Sequence, residues 1–200
     1  FQNRWNQTPR VPHTSVLGHC FFVAVLTLLF LHEGGTRVSA KRLYNDFFSA
    51  LFHDLPEAVT RDIISPVKQA TYSLPSIVKN IEEQIVAKDL VPLMEPFYKD
   101  EILYFTNDEF ENRVCVDGSV RHVTWEALNT TYADGRWQPV DGRLVRLADH
   151  FSALLEADSS IRHGITSTHL ADGRVNLLKA YPAGTVINGI DAYALFQQFA

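Results

Sequence analysis

The feature that most constrains this chain is the run from Cys20 to Leu31, CFFVAVLTLLFL, which contains no charge and only Thr27 as a conventional polar residue. A helix with that sequence has no polar face to turn toward water, so it belongs in a membrane or at the centre of a helical bundle. Spanning a bilayer takes about 20 apolar residues. The run is shorter than that, with His19 before it and His32-Glu33 after it. It also lacks the basic leader and small-residue cleavage site of a signal peptide. The expectation is a helix buried on all sides, in a bundle that is not bound to a membrane.

With 200 residues, 46% hydrophobic and 20% charged, the chain has globular composition and enough length for a real core. No linker, repeat or low-complexity stretch divides it, so residues 1–200 read as one domain. The net charge of -5 speaks against a nucleic-acid-binding surface, which needs a cationic excess. It leaves room for small phosphorylated ligands, because a metal ion and a few local cations can hold a phosphate. Cys20 and Cys115 are the only cysteines. They have neither zinc-site spacing nor a partner framework for disulfides, which points to a reducing cytoplasm.

Helical signals dominate, and the fold class is all-α. The apolar helix runs from about Ser15 to His32, with Gly34-Gly35 as its stop. Ser39 caps a second helix in which Leu43, Phe47, Ala50 and Leu51 recur at helical spacing and lead into His53-Asp54. Pro75 to about Met94 is amphipathic, with Ile77, Val78, Ile81, Ile85 and Leu90 on one side. Leu144 to about Ile161 forms a further helix, and Ile190 to Phe199 a last short one. The interval 106–142 reads as an irregular insertion. Within it Asp117-Gly118 sits between short β-branched runs, as in a short β-hairpin.

Histidines and carboxylates interrupt these apolar helices in the order His19, His53-Asp54, Asp149. A buried carboxylate or cluster of imidazoles is costly unless paired, and one divalent cation pairs several at once. Two imidazoles and two carboxylates suit a borderline transition metal such as Mn, Fe, Co, Ni or Zn better than calcium, with Mg also open as the one divalent ion. Four protein ligands in an octahedral shell leave two positions for water or substrate oxygens, the arrangement a hydrolytic metal needs. Taken singly each residue is weak. His19 reads equally as a core histidine, and Asp149 as a partner for Arg143 or Arg146. His13, His32, His122, His150, His163 and His169 have no motif behind them and read as structural or exposed.

This order resembles the HD-domain metal-dependent phosphohydrolases. Asn3-Arg4-Trp5, the histidine fourteen residues after that Trp, the run HDLPEAVTRD, and Ser65-Pro66-Val67-Lys68 are similar to the bacterial 5'-deoxynucleotidase branch. The resemblance covers residues 3 to about 90 and 143 to about 160. It implies an HD-domain helical bundle, a homodimer, and removal of phosphate from deoxyribonucleoside 5'-monophosphates. It also implies His19, His53, Asp54 and Asp149 as ligands of one divalent metal ion, and Glu57 as the base that positions or deprotonates water. Asp62 would lie on the same rim, Arg4 would face the phosphate, Trp5 would pack near the sugar, and Lys68 would be a second cation. The chain departs from the family at Gly18, where an acidic residue usually precedes the first metal histidine.

Other readings compete. Glu57 also fits a solvated first-turn carboxylate, Asp62 an N-cap, Trp5 core filling and Arg4 a surface cation. An HD-type hydrolase of a cyclic dinucleotide or guanosine polyphosphate is a close rival. The cyclic-dinucleotide group carries Gly-Lys shortly after its HD pair, and Leu55-Pro56-Glu57 stands here instead. A dinuclear oxygenase would need more ligands between the second and last motifs, where His122 is the only histidine. A binding protein that keeps the metal for structure is the non-catalytic alternative.

Overall fold

The structure, a computed structural model, describes residues 3–5, 8–57 and 74–200. Among these it is mostly helical. α1 (Val16–Glu33) and α2 (Ala40–Phe52) are followed by α3 (Leu74–Ile85), which runs on through a π-helical turn Val86–Leu90 and a 3-10 turn Val91–Leu93. Next come α4 (Pro96–Thr106), strands β1 (Arg113–Val116) and β2 (Ser119–His122), and α5 (Trp125–Asn129). The long α6 (Gly142–Arg162), α7 (Thr168–Ala180), strands β3 (Val186–Ile187) and β4 (Ile190–Asp191), and α8 (Ala192–Gln197) complete it.

Ser15 starts α1, its Oγ accepting from the amide of Gly18, and Ser39 starts α2 in the same way with Arg42. The chain reverses over residues 34–39, with Gly35 at φ +68. α2 therefore packs back along α1, and both pack on α6. Between them Val23, Phe30, Leu147, Phe151 and Leu154 form the main core, closed at one end by Phe196. Burying such side chains stabilises by roughly 1.5–3 kcal/mol each.

α1 is not buried on all sides, as its sequence suggests. By length and composition it could cross a membrane, yet Val23, Ala24, Thr27 and Phe30 face the bundle while Leu17, Phe21 and Leu29 are 56–64% exposed. An apolar run without polar punctuation carries no signal for which face turns inward. α3 also differs from expectation, because Ile77 and Ile81 of its apolar stripe are about half exposed. The last helix begins two residues later than expected, since Ile190–Asp191 pairs with Val186–Ile187 across an Asn188-Gly189 turn.

The interval 106–142 is more ordered than its sequence implies. The expected hairpin is present, with Asp117 and Gly118 both at positive φ. Val114, Val116 and Leu128 form a second small core with Val123, Tyr132 and Trp137.

Buried polar groups join this segment to α2. Arg42, Asn45, Asp46 and Ser49 lie on one face of α2 and are almost fully enclosed. Arg42 donates to Asp141 at 2.8 Å and to Asn129 at 2.7 Å, and its Nε is 3.4 Å from Asp46. Asp46 accepts from the Asp141 amide at 2.7 Å, and Asp141 in turn caps α6 through the Leu144 amide. Arg113 donates to Ser49 and to the Tyr104 carbonyl. Gly142 admits no side chain, because a Cβ would lie 2.4 Å from the backbone of Glu111.

Arg42→Ala should destabilise the fold by about 3–5 kcal/mol, since it leaves Asp46 and Asp141 buried without their main cation. Burial pushes Asp46 up to about 7 against the pull of Arg42, and the Asp141 charge adds to the rise. The folded chain thus holds that proton more tightly than the unfolded one, and loses stability as the pH rises between about 4 and about 7. Without Arg42 this fall should steepen. Urea denaturation should show the gap between wild type and variant widening from about pH 5 to about pH 8; a pH-independent gap would contradict the charge network.

Candidate metal centre

Because α2 returns along α1, the start of one helix lies beside the end of the other. His19, in the second turn of α1, meets His53 just past the end of α2, with ring centroids 5.4 Å apart. α6 passes alongside and presents Asp149 from its middle. His19 Nε2 is 3.0 Å from Asp149 Oδ1 and 3.8 Å from Asp54 Oδ2. His53 Nε2 is 3.3 Å from Asp54 Oδ2 and 3.8 Å from Asp149 Oδ1. The structure thus brings together all four residues read from the H…HD…D order.

These residues fit a divalent ion. Ligands bound at about 2.1 Å and at right angles stand about 3 Å apart, close to the shorter of these separations. His19 Nε2, His53 Nε2 and Asp149 Oδ1 are buried and have no hydrogen-bond partner among the described residues. Unpaired polar atoms converging in a bundle cost free energy unless something bonds them. The far sides of both rings are held: His53 Nδ1 donates to the Ala50 carbonyl at 2.7 Å, and His19 Nδ1 lies 3.1 Å from Ser152 Oγ. Such partners fix the ring orientation and leave Nε2 for the ion.

Burial, then the nearby Arg4 charge, holds the His19 pKa well below the ordinary range, so its ring is neutral and able to ligate. Burial works against a charge on His53 too, but Asp54 outweighs it and raises the pKa well above the usual value. Burial would raise Asp149, yet the charge of Arg4, with that of His53, holds it below the usual carboxylate range. The cluster is built to attract positive charge.

Arg4 sits at its edge. Antiparallel pairing of Asn3 with Ser15, and the Arg4 amide bonded to the Thr14 carbonyl, fold the N-terminal segment back onto the site. The guanidinium lies 3.5 Å from Asp149, 3.6 Å from Glu156 and 3.9 Å from Asp54. Burial would lower the Arg4 pKa, but Asp149, Glu156, Asp54 and Glu57 together raise it. Trp5 follows at φ +51, and a cavity of about 310 Å³ opens beside it, lined by Arg4, Trp5, Thr8, Arg10 and the exposed His13.

The sequence places Glu57 on the face of His53 if the helix continues through Pro56. It does not continue, for α2 ends at Phe52 and His53 to Pro56 form turns. Proline has no amide proton and disfavours helical backbone in the residue before it. Glu57 nevertheless comes close enough to act on the charge of Arg4. Asp62 and Lys68 lie outside the described residues.

Four neighbours of the site were not singled out from the sequence. Ser152 and Glu156 stand three and seven residues after Asp149, a spacing that places all three on one helix face. Glu156 Oε1 lies 3.8 Å from His19 Nδ1, so the carboxylate beside His19 comes from α6, while Gly18 offers none. Cys20 approaches His53 and Asp54. Arg10, almost fully buried, pairs with Glu156 at 2.9 Å; nothing in its sequence neighbourhood marks it.

Two substitutions separate ligation from support. His53→Ala should abolish metal uptake, measured as metal per chain after Mn or Co loading and desalting. Ser152→Ala should keep the ligands but weaken metal affinity by about 10–100-fold, the usual effect of losing a ring's supporting partner. Full occupancy in His53→Ala would remove His53 from the ligand set.

Comparison with known proteins bears on the fold and the family. No curated protein matches the chain. The structure resembles the crystal structure of an HD-domain phosphohydrolase from Listeria innocua, with a TM-score of 0.68 and 16% identity, over 98% of this chain and 80% of that one. That likeness establishes a shared fold. The family model described as HD domain matches residues 1–178, and the chain belongs to the HD-domain family.

Proposed function

We propose that this chain is a metal-dependent phosphohydrolase that removes phosphate from nucleoside 5'-monophosphates, with deoxyribonucleotides preferred. Family membership and the shared fold support a phosphohydrolase in general. The observation that carries the finer reading is Arg4. Among the described residues its Nε and Nη1 are buried without hydrogen-bond partners, beside the candidate metal ligands. A guanidinium with open donors next to a metal position suits an anion that both can hold, and a phosphomonoester is such an anion.

His19, His53, Asp54 and Asp149 hold one divalent ion of the Mn, Fe, Co, Ni, Zn or Mg group. When bound, that ion supplies Lewis acidity toward a phosphoryl oxygen and lowers the pKa of a water. Glu57 takes the proton from the attacking water. Arg4 binds the phosphate, and Trp5 lies against the sugar beside the cavity. The family resemblance further gives Asp62 the role of orienting water or the leaving oxygen and Lys68 that of a second cation. We place the protein in the cytoplasm as a homodimer, supported by the exposed apolar stripe of Leu17, Phe21 and Leu29 along α1, which a second copy would cover.

Glu57→Ala should retain the metal and lose about 10²–10⁴-fold in kcat, the range a positioned base supplies. Wild-type turnover in that variant would return Glu57 to a solvated carboxylate. The sugar preference follows from Trp5: a 2'-hydroxyl pressed on an aromatic face loses water without gaining a partner, at roughly 1–3 kcal/mol. Matched dAMP and AMP should therefore differ by about tenfold or more in kcat/KM, and Trp5→Ala should narrow the gap with the metal still in place. Equal rates on both sugars in the wild type would leave only the broader phosphohydrolase reading.

A further inference from the structure

Glu156 is where the metal centre and the N-terminal segment meet. It lies two turns after Asp149 on the same face of α6. One carboxylate oxygen is 3.8 Å from His19 Nδ1. The other is 2.9 Å from Arg10 Nη1 and 3.6 Å from Arg4 Nε. Arg10 also reaches the Arg4-Trp5 dipeptide: its Nη2 donates to the Arg4 carbonyl, and its guanidinium carbon lies 4.7 Å from the centre of the Trp5 ring. Trp5 takes a left-handed backbone conformation that favours glycine, so a fixed partner is needed to hold it there.

Arg4 stands at ion-pair distance from three carboxylates, Asp54, Asp149 and Glu156. Two of these are candidate metal ligands. Once they share their charge with a cation, their pull on Arg4 weakens and the cation itself repels the guanidinium. Of these three, Glu156 is the one that is not a candidate ligand. We infer that Glu156 and Arg10 form a clamp that positions Arg4 and Trp5 over the metal centre. Glu156 holds the Arg4 side chain against the repulsion of a bound cation, while Arg10 fixes the dipeptide through its carbonyl and its ring. Both are positioning residues, acting on the phosphate through Arg4. The geometry of the clamp stands on these contacts alone; its link to phosphate rests on the phosphohydrolase reading.

The test uses the Mn-loaded chain as wild type, E156Q, R4A and the double variant. Amide hydrogen exchange is followed without phosphate, and inorganic phosphate is then titrated by calorimetry. E156Q should keep its metal and leave α1 and α6 protected, while the Arg4 amide, bonded to the Thr14 carbonyl, exchanges about tenfold faster. Phosphate binding should weaken about tenfold, as expected for a lost charge-assisted contact, and E156Q should add nothing in the R4A background. Arg10→Met, with Glu156 intact, should loosen the same amide. Unchanged exchange at Arg4 in both clamp variants overturns the inference. Metal loss in E156Q does so too, as does an E156Q effect on phosphate equally large without Arg4. A wild type that binds no phosphate, with the Arg4 amide still loosened in E156Q, overturns the phosphohydrolase reading and leaves the clamp.

Discussion

Two imidazoles and two carboxylates are gathered where three apolar helices meet, and much of the structure follows from offsetting the cost of placing them there. Isolated charges in such a setting cost several kcal/mol each, even after local relaxation. The cluster lowers that cost in layers. Ser152 and the Ala50 carbonyl hold the outer nitrogens of the rings, while Arg4 sets a cation against Asp54 and Asp149. The inner nitrogens have no hydrogen-bond partner among the described residues, which is the condition under which binding a metal ion gains most.

The helices that deliver these groups obey a second constraint. α2 uses its outer and flanking positions for apolar packing and its enclosed face for Arg42, Asn45, Asp46 and Ser49. That polar face binds the segment 106–142 and, through Asp141, the first turn of α6. α6 carries Asp149, Ser152 and Glu156. The charge network at one end of α2 and the metal centre at the other therefore share α2 and both involve α6, whose first turn Asp141 caps and whose middle carries Asp149. A change at Arg42 acts on the site only by way of the helices that position it.

Much of this was legible in the sequence, and the exceptions have physical reasons. The start of α2 could be read from Ser39 and the hairpin from Asp117-Gly118, because capping and turn chemistry are local. The four site residues could be singled out because their order, set against apolar sequence, resembles that of the HD-domain family. The inward face of α1 could not, since an apolar run looks the same from every side. The enclosed face of α2 was hidden for the opposite reason: helical periodicity is sought in apolar residues, and here the buried stripe is polar. Ser152 and Glu156 were within reach of simple helix geometry from Asp149. The Asn188-Gly189 turn carried the strongest local signal for a hairpin and lay outside the helical reading given to that end of the chain. Arg10 had no local signal, because its partner Glu156 is 146 residues away.

The central claim is that His19, His53, Asp54 and Asp149 share one ion. The most direct measurement is a crystal structure of the Mn-loaded protein with anomalous data collected to locate the metal. The account predicts one strong anomalous peak per chain, at about 2.0–2.2 Å from His19 Nε2, His53 Nε2 and a carboxylate oxygen of each aspartate. A peak bound by other residues, or none at these four in the loaded protein, would contradict it.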